Sequence, residues 1–239
     1  AAFQKEYIKD DGEVGTGTQT SYVLALQMKL VPESLTAAAA DKLVKDIEAH
    51  QWHLTTGFLG TPHLLFALAD NGHTDVAYRL LLNETYPSWG YMLSKGATTW
   101  WERWNGDTGD PAMNSFNHYA FGSVVAWVYR YAAGIDTTPE APGFREIVIR
   151  PRPDQRMTHA RAEYDSVYGR IASDWTGNPG EPLSLHVTIP ANTTARVVLP
   201  AGPAARVTEG GRPVKGQREA DGYVVRIGSG NYAFSVSAR

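Results

Sequence analysis

The chain has 239 residues, 43% of them hydrophobic and 20% charged, with a formal net charge of −3. That is enough apolar material for one or two cores and too much for a disordered chain. The near-neutral charge gives no electrostatic basis for binding nucleic acid or an anionic membrane surface. The absence of cysteine excludes a disulfide framework and a thiolate metal site. The apolar runs fall short of the roughly 20 residues a membrane span needs.

The first residues, Ala1-Ala2-Phe3-Gln4-Lys5-Glu6, carry no initiator Met, no basic n-region and no apolar h-region. They read like the interior of a longer protein, which leaves the compartment, cytoplasmic or secreted, undecided. From about Gln19 to Gly134 the hydrophobic period is helical. Thr18–Leu30 places Tyr22, Leu26 and Leu30 four residues apart and Pro32 ends it. A second helix runs from Thr36 to about His50, with Leu43, Val44 and Ile47 on one face. Thr61 as N-cap and Pro62 at the first helical position open a third, which Gly72 stops. Thr74 caps a fourth.

Between Tyr86 and Gly109 the periodicity breaks into a long Trp- and Gly-rich loop, and loops of that length in a compact domain are usually functional. A last helix is expected from Ser115 to Ala133. It is apolar almost all round, through Phe116, Phe121, Val124, Val125, Trp127, Val128 and Tyr131, as a buried inner helix would be. Short links between successive helices imply antiparallel hairpins.

After Gly134 the period becomes two. Leu183–Ile189 alternates without a slip, and Ala195–Leu199, Tyr223–Ile227 and Tyr232–Val236 repeat the theme. Turn signals separate these runs at Asn178-Pro179-Gly180, Gly210-Gly211, Asp221-Gly222 and Gly228-Ser229-Gly230. About eight half-buried strands imply a β-sandwich of about 100 residues. The Pro-rich stretch Thr137–Gly143 divides the chain into 1–136 and 137–239.

No Gly-rich phosphate loop and no Gly-x-Ser-x-Gly elbow is present, and the seven histidines lack zinc-ligand spacing: His50 and His53 lie three apart with no matching third ligand. The reading therefore assigns no metal and no cofactor. Carboxylate chemistry is the best-supported enzymatic option, from Glu84, Glu102, Asp107 and Asp110 in the loop. Asp107 and Asp110 sit in a turn-forming sequence, Asn105–Pro111, that accounts for them without chemistry. Glu102 differs, because Trp100, Trp101 and Trp104 surround it. An aromatic face suits the C–H face of a pyranose, while a carboxylate handles hydroxyls or a water; the plainer alternative is a core Trp cluster with Glu102 turned to solvent. His118, in the first turn of the last helix, is either a satisfied core histidine or a hydrogen-bonding group at a cleft.

Four segments carry a more specific signal: Thr56-Gly57-Phe58-Leu59-Gly60-Thr61-Pro62, Tyr86-Pro87-Ser88-Trp89-Gly90-Tyr91-Met92-Leu93, Gly96-Ala97-Thr98-Thr99-Trp100-Trp101-Glu102-Arg103-Trp104 and Ser115-Phe116-Asn117-His118-Tyr119-Ala120-Phe121-Gly122. In this order they resemble bacterial α-L-rhamnosidases of glycoside hydrolase family 78. The segment Val187–Ala195 resembles that family's C-terminal domain, so the resemblance covers nearly the whole chain.

It implies a helical-hairpin (α/α)6-type barrel portion followed by an antiparallel β-sandwich. It also implies hydrolysis of terminal α-L-rhamnose, on small molecules or oligosaccharides, with inversion. One carboxylic acid then protonates the leaving oxygen while a carboxylate activates a water on the opposite sugar face, the two about 6.5–9.5 Å apart. By this resemblance Glu102 is the general base, His118 contacts the rhamnose, and Trp89 and Trp100 form a wall against the sugar.

The family's general acid lies in an upstream segment that has no counterpart here. About six helices are readable where a closed six-hairpin barrel has twelve. The expectation is therefore the C-terminal half of the barrel plus the sandwich, inactive alone. It is docked to the remainder of the enzyme or self-associated, because a half barrel exposes an apolar face larger than monomers tolerate. Two other readings stay open: a catalytically silent carbohydrate-binding or structural module, and an inverting (α/α)6 glycosidase for another terminal sugar.

Overall fold

The computed structural model describes residues 2–108, 110, 112, 115–178 and 180–237. The expected turn residues Gly109, Pro111 and Pro179 lie outside the described residues. The chain falls into two compact units, Ala1–Val124 and Val125–Arg239.

The first unit is helical: α1 (Ala2–Tyr7), α2 (Gln19–Gln27), α3 (Glu33–Ala49), α4 (Thr61–Asp70), α5 (Thr74–Leu81), α6 (Trp89–Ser94) and α7 (Tyr119–Gly122). Thr18 caps α2 by accepting a hydrogen bond from the Ser21 N–H. Helix α3 buries Ala39, Leu43 and Ile47 at four-residue spacing, with Ala40 beside them, as an amphipathic helix facing a core must. Helix α2 packs on α3 and α4, and α4 packs on α5 and α7. Gly72 follows α4 with φ +91°, the left-handed conformation that ends helices at glycine.

Three expectations about helix starts need correction. Thr61 and Thr74 stand at first helical positions, with Gly60 and His73 as the caps. Thr61 turns its hydroxyl backward to the Thr56 carbonyl (3.2 Å) rather than forward onto the helix. The Trp-rich loop contains a helix of its own, α6, which Ser88 caps by accepting from the Tyr91 N–H at 2.9 Å.

The last helix begins at Tyr119, not Ser115, and continues as α8 (Val124–Trp127) and a π-helical turn, Val128–Ala133. It is not buried all round. Phe121, Trp127 and Tyr131 are buried, whereas Phe116 is 48% and Val125 45% exposed.

Among the described residues the second unit holds eleven strands in two sheets, where the alternation suggested about eight. They are β1 (Ile135–Thr137), β2 (Glu146–Ile149), β3 (His159–Ser166), β4 (Gly169–Thr176), β5 (Leu183–Ile189), β6 (Thr194–Leu199), β7 (Arg206–Glu209), β8 (Arg212–Pro213), β9 (Gln217–Glu219), β10 (Gly222–Ile227) and β11 (Gly230–Ser237). One sheet runs β1-β2-β6-β10-β9 and the other β3-β4-β5-β11-β7-β8. The pairings are antiparallel except β2 with β6, which is parallel. Strand β5 alternates buried Leu183, Leu185, Val187 and Ile189 with Ser184, His186 and Thr188. The core packs these against Ile147, Ile149, Trp175, Val197, Val225 and Phe234. Buried Trp175 and Ser173 donate to the carbonyls of Ala132 and Ala133, at 2.7 and 2.6 Å, anchoring the π turn on β4.

Candidate active site

The four segments that carry the family resemblance converge in the helical unit. Their meeting point is a buried aromatic stack. The Trp104 ring lies 3.9 Å from that of Phe121 at 12°, and Trp89 meets Trp104 edge-on at 5.3 Å. A buried indole N–H needs an acceptor. Trp104 finds the Thr56 carbonyl at 2.9 Å, and Trp89 the Phe121 carbonyl at 3.0 Å. Thr56, Trp89, Trp104 and Phe121 come one from each segment. Gly60 is required by the same crowding: a Cβ there would stand 2.8 Å from Thr20 Oγ1 and 2.9 Å from Thr56 Cγ2.

Above this stack, residues 99–102 run beside residues 115–118. The His118 N–H donates to the Trp100 carbonyl (2.8 Å) and the Glu102 N–H to the Ser115 carbonyl (2.8 Å), while Thr99 Oγ1 donates to the Phe116 carbonyl. Trp101 is buried against Phe116, 5.9 Å between rings, and its neighbours Trp100 and Glu102 are half-exposed. Arg103 is half-exposed as well, and Trp104 is buried again. Gly122 makes room for the Trp100 indole, because a Cβ at that position would stand 2.9 Å from Trp100 Cδ1.

The Glu102 carboxylate is fixed through one oxygen: Oε2 accepts from the Ser115 N–H at 2.9 Å. Among the described residues Oε1 has no partner. His118 is not inside a helix but is the N-cap of α7, its Nδ1 accepting from the Ala120 N–H at 3.2 Å. That bond assigns the proton of the neutral ring to Nε2 and leaves Nε2 open to a ligand. The His118 ring stacks on Tyr119 (5.0 Å, 17°) with Phe58 at 6.4 Å. Tyr119 is 80% exposed, and Phe58 is exposed as well. Backbone pairing thus brings together the segments that carry Trp100, Glu102 and His118, with the exposed rings of Phe58 and Tyr119 next to the imidazole.

The remaining candidates separate clearly. Trp89 is 2% exposed with its N–H satisfied, so it is a packing residue; the sequence reading placed it against the sugar, and burial removes it from that role. Asp107 does more than shape a turn, because it accepts from the Tyr91 hydroxyl at 2.8 Å and lies 3.7 Å from Lys95 Nζ. This contact holds the phenol of Tyr91 above its usual range. Asp110 accepts from the Ala112 N–H in a local turn, and Glu84 is exposed. His53 Nε2 bonds the Thr85 hydroxyl at 2.8 Å, and among the described residues no three His, Asp or Glu converge in a metal-holding group. Reading the sequence passed over two contributors. Ser115 acts through its backbone, which no side-chain pattern reveals. Phe58, though inside a quoted segment, gave no sign that its ring faces outward beside His118. A cavity of about 720 Å³ elsewhere in the unit, lined by Leu26, Gln27, Glu33 and Asp70, shares no residue with this face.

A helical-hairpin unit followed by a two-sheet unit is an architecture of the hairpin glycosidases. The comparisons make it specific. The family model described as bacterial alpha-L-rhamnosidase 6 hairpin glycosidase domain matches residues 1–132, and the bacterial alpha-L-rhamnosidase C-terminal domain matches residues 134–213. The chain belongs to the bacterial α-L-rhamnosidase family.

An alpha-L-rhamnosidase of Streptomyces avermitilis is 50% identical over 98% of this chain and 23% of its own length. Another, of Formosa agariphila, is 43% identical over 83% of this chain and 22% of its own length. The crystal structure of the Streptomyces avermitilis enzyme complexed with L-rhamnose matches with a TM-score of 0.89 at 49% identity, over 99% of this chain and 23% of that one. That of the enzyme from Dictyoglumus thermophilum matches with a TM-score of 0.90 at 33% identity, over 99% and 27%. The chain thus spans about a quarter of the length of the relatives it matches.

Proposed function

We propose that this chain supplies the base-bearing part of an α-L-rhamnosidase, which hydrolyses terminal α-L-rhamnosides with inversion. Residues 1–136 form the C-terminal half of its barrel and 137–239 the sandwich. Glu102 draws a proton from water through Oε1, which has no partner among the described residues, while the Ser115 N–H holds Oε2. The water attacks the anomeric carbon from the face opposite the leaving group. His118 donates from Nε2 to a rhamnose hydroxyl, and the Trp100 indole covers an apolar face of the sugar. The general acid comes from the remainder of the enzyme, because no second carboxylate of this chain is held beside Glu102 among the described residues. The partners are rhamnosylated small molecules or oligosaccharides and that remainder of the polypeptide.

The observation that supports this reading best is the half-exposed Glu102 carboxylate, bonded through one oxygen among the described residues, on a segment paired by backbone bonds with the one that ends in His118. That a relative was crystallised with L-rhamnose supports the choice of sugar.

The test is an aryl α-L-rhamnoside assay at the relatives' full length. Glu102→Gln should lower kcat at least 10²-fold, the lower range of general acid–base catalysis at about 10²–10⁴, and the first-formed sugar should be β-rhamnose by NMR. Activity of Glu102→Gln within a few-fold of the parent removes Glu102 as the base. Binding of rhamnose without turnover, in the complete enzyme, would favour a silent carbohydrate-binding module.

A further inference from the structure

The buried bond between Trp104 and Thr56 satisfies the indole N–H and also ties the segment that carries Glu102 to the connection between α3 and α4. Trp104 is 8% exposed, and its ring is already satisfied by Phe121 and Trp89. Its N–H reaches across to the connection between α3 and α4 and takes the Thr56 carbonyl at 2.9 Å. That carbonyl is a fixed reference point. It also accepts from the Thr61 hydroxyl at 3.2 Å, while the Thr56 and Thr61 hydroxyls bond each other at 2.8 Å.

The connection itself is clamped from α2. Gln19 is 0% exposed; its Oε1 accepts from the Thr55 N–H at 2.8 Å and its Nε2 donates to the His53 carbonyl at 3.3 Å. A buried glutamine is costly unless its amide is bonded, and here both ends are spent on this one loop. Trp104 follows Glu102 by two residues, a reach of at most about 7 Å. The backbone that carries the indole is therefore within that reach of the backbone that carries the carboxylate.

We propose that Trp104 is a positioning residue: its indole N–H, bound to the Thr56 carbonyl, sets where the Glu102 carboxylate stands. This rests on the reading of Glu102 as general base. The chain of contacts runs from Gln19 through residues 53–56 to Trp104 and then along the backbone to Glu102. On the other side the stack with Phe121 ties the same indole to the helix that His118 caps. The base and the sugar-facing imidazole thus share one anchor.

Trp104→Phe, made at the relatives' full length, deletes the N–H and keeps a ring to stack on Phe121. The expected result is a kcat about 10–100-fold lower, as a displacement on the order of 1 Å can produce. KM for an aryl rhamnoside and the inhibition constant of free rhamnose should change less than about twofold, because neither depends on the base. A kcat within twofold of the parent, while Glu102→Gln is inactive, overturns the proposal. So does a parallel fall of kcat and rise of KM with loss of folded protein, the mark of a purely structural role. If Trp104→Phe does not fold, 3-benzothienylalanine placed at position 104 exchanges the indole N–H for sulfur and keeps the bicyclic ring: a several-fold loss in kcat alone supports the proposal, and no loss or a parallel change overturns it. Full activity of Glu102→Gln overturns the underlying reading of the base, and this inference with it.

Discussion

Glu102 and Ser115 bond each other twice. The Glu102 N–H donates to the Ser115 carbonyl at 2.8 Å, and the Ser115 N–H donates to Glu102 Oε2 at 2.9 Å. The carboxylate is therefore aimed by a backbone group, so the side chain of Ser115 is dispensable and its N–H is not. Ser115→Ala should leave kcat of the complete enzyme within about threefold, losing only the 3.2 Å bond from the Asn117 N–H. Ser115→Pro removes the donor and should lower kcat by about 10²-fold, the usual scale for losing fixed geometry at a reacting group. Steady-state kinetics on an aryl rhamnoside compares the two; equal activities would mean that the Ser115 N–H does not aim the base.

The same pair explains one limit of the sequence. The period of residues 115–133 predicts a helix from Ser115, yet the helix begins at Tyr119. A helix from Ser115 would bond the Ser115 and Phe116 carbonyls to the N–H groups of Tyr119 and Ala120; instead those carbonyls accept from the Glu102 N–H and the Thr99 hydroxyl, and the Ala120 N–H goes to His118 Nδ1. Local pattern carried the long helices, since Ala39, Leu43 and Ile47 face the core as their spacing demands. It also carried β5, where the alternation is complete. It carried less where long-range bonds decide. The hydroxyl of Thr61 looks like a cap until Thr56 takes it. Trp89 looks like a sugar platform until Phe121 and Trp104 bury it. The parallel pairing of β2 with β6 joins segments that no turn signal connects. Family membership was legible because the four segments are distinctive as a set, whereas the bonds that fix Glu102 and His118 were not, because they run through backbone groups.

The contact between Tyr91 and Asp107 predicts a specific alkaline titration. The phenol donates to Asp107 Oδ2 at 2.8 Å, and this bond is the main cause of its raised pKa, with desolvation second. A group whose folded-state pKa lies above its unfolded value stabilises the fold below the unfolded value. That contribution is lost as pH rises through the folded one. The tie between α6 and the Asp107 loop should therefore persist through neutral pH and loosen only above the ordinary phenol range. Ultraviolet difference titration of the parent against Tyr91→Phe isolates this phenol. Asp107→Asn should move its midpoint down toward that of a free tyrosine, and an unmoved midpoint would refute the assigned cause.

Gly122 sets two effects against each other. Alanine is favoured over glycine in a helix by roughly 1 kcal/mol, and Gly122 lies in α7 with no positive φ. A Cβ there would meet Trp100 Cδ1 at 2.9 Å, however, and the indole must turn away. Gly122→Ala should therefore leave the melting temperature of the chain nearly unchanged while displacing the Trp100 ring. Aromatic contacts of this kind contribute about 0.5–1.5 kcal/mol, so rhamnose affinity at the relatives' full length should weaken by about 2–10-fold. Calorimetric titration with rhamnose reads the effect; unchanged affinity would take Trp100 out of the sugar site.

In the two-sheet unit the decisive residue is Trp175. It is 0% exposed, its ring fills the centre of the sandwich core, and its N–H donates to the Ala132 carbonyl at 2.7 Å. Trp175→Phe keeps most of the apolar volume but strands that carbonyl, a penalty of about 1–3 kcal/mol for a buried polar group without its partner. Trp175→Ala removes the ring as well and should cost about 3–5 kcal/mol, in the range of large-to-small core substitutions. The difference between the two variants separates packing from hydrogen bonding, since only the first step removes the N–H donor while retaining a ring. Guanidinium unfolding of the chain, followed by circular dichroism in the strand region, measures both. If the two substitutions cost the same, the bond to Ala132 rather than the ring holds the π turn on β4; if Trp175→Phe is neutral, the bond contributes nothing and the core alone secures it.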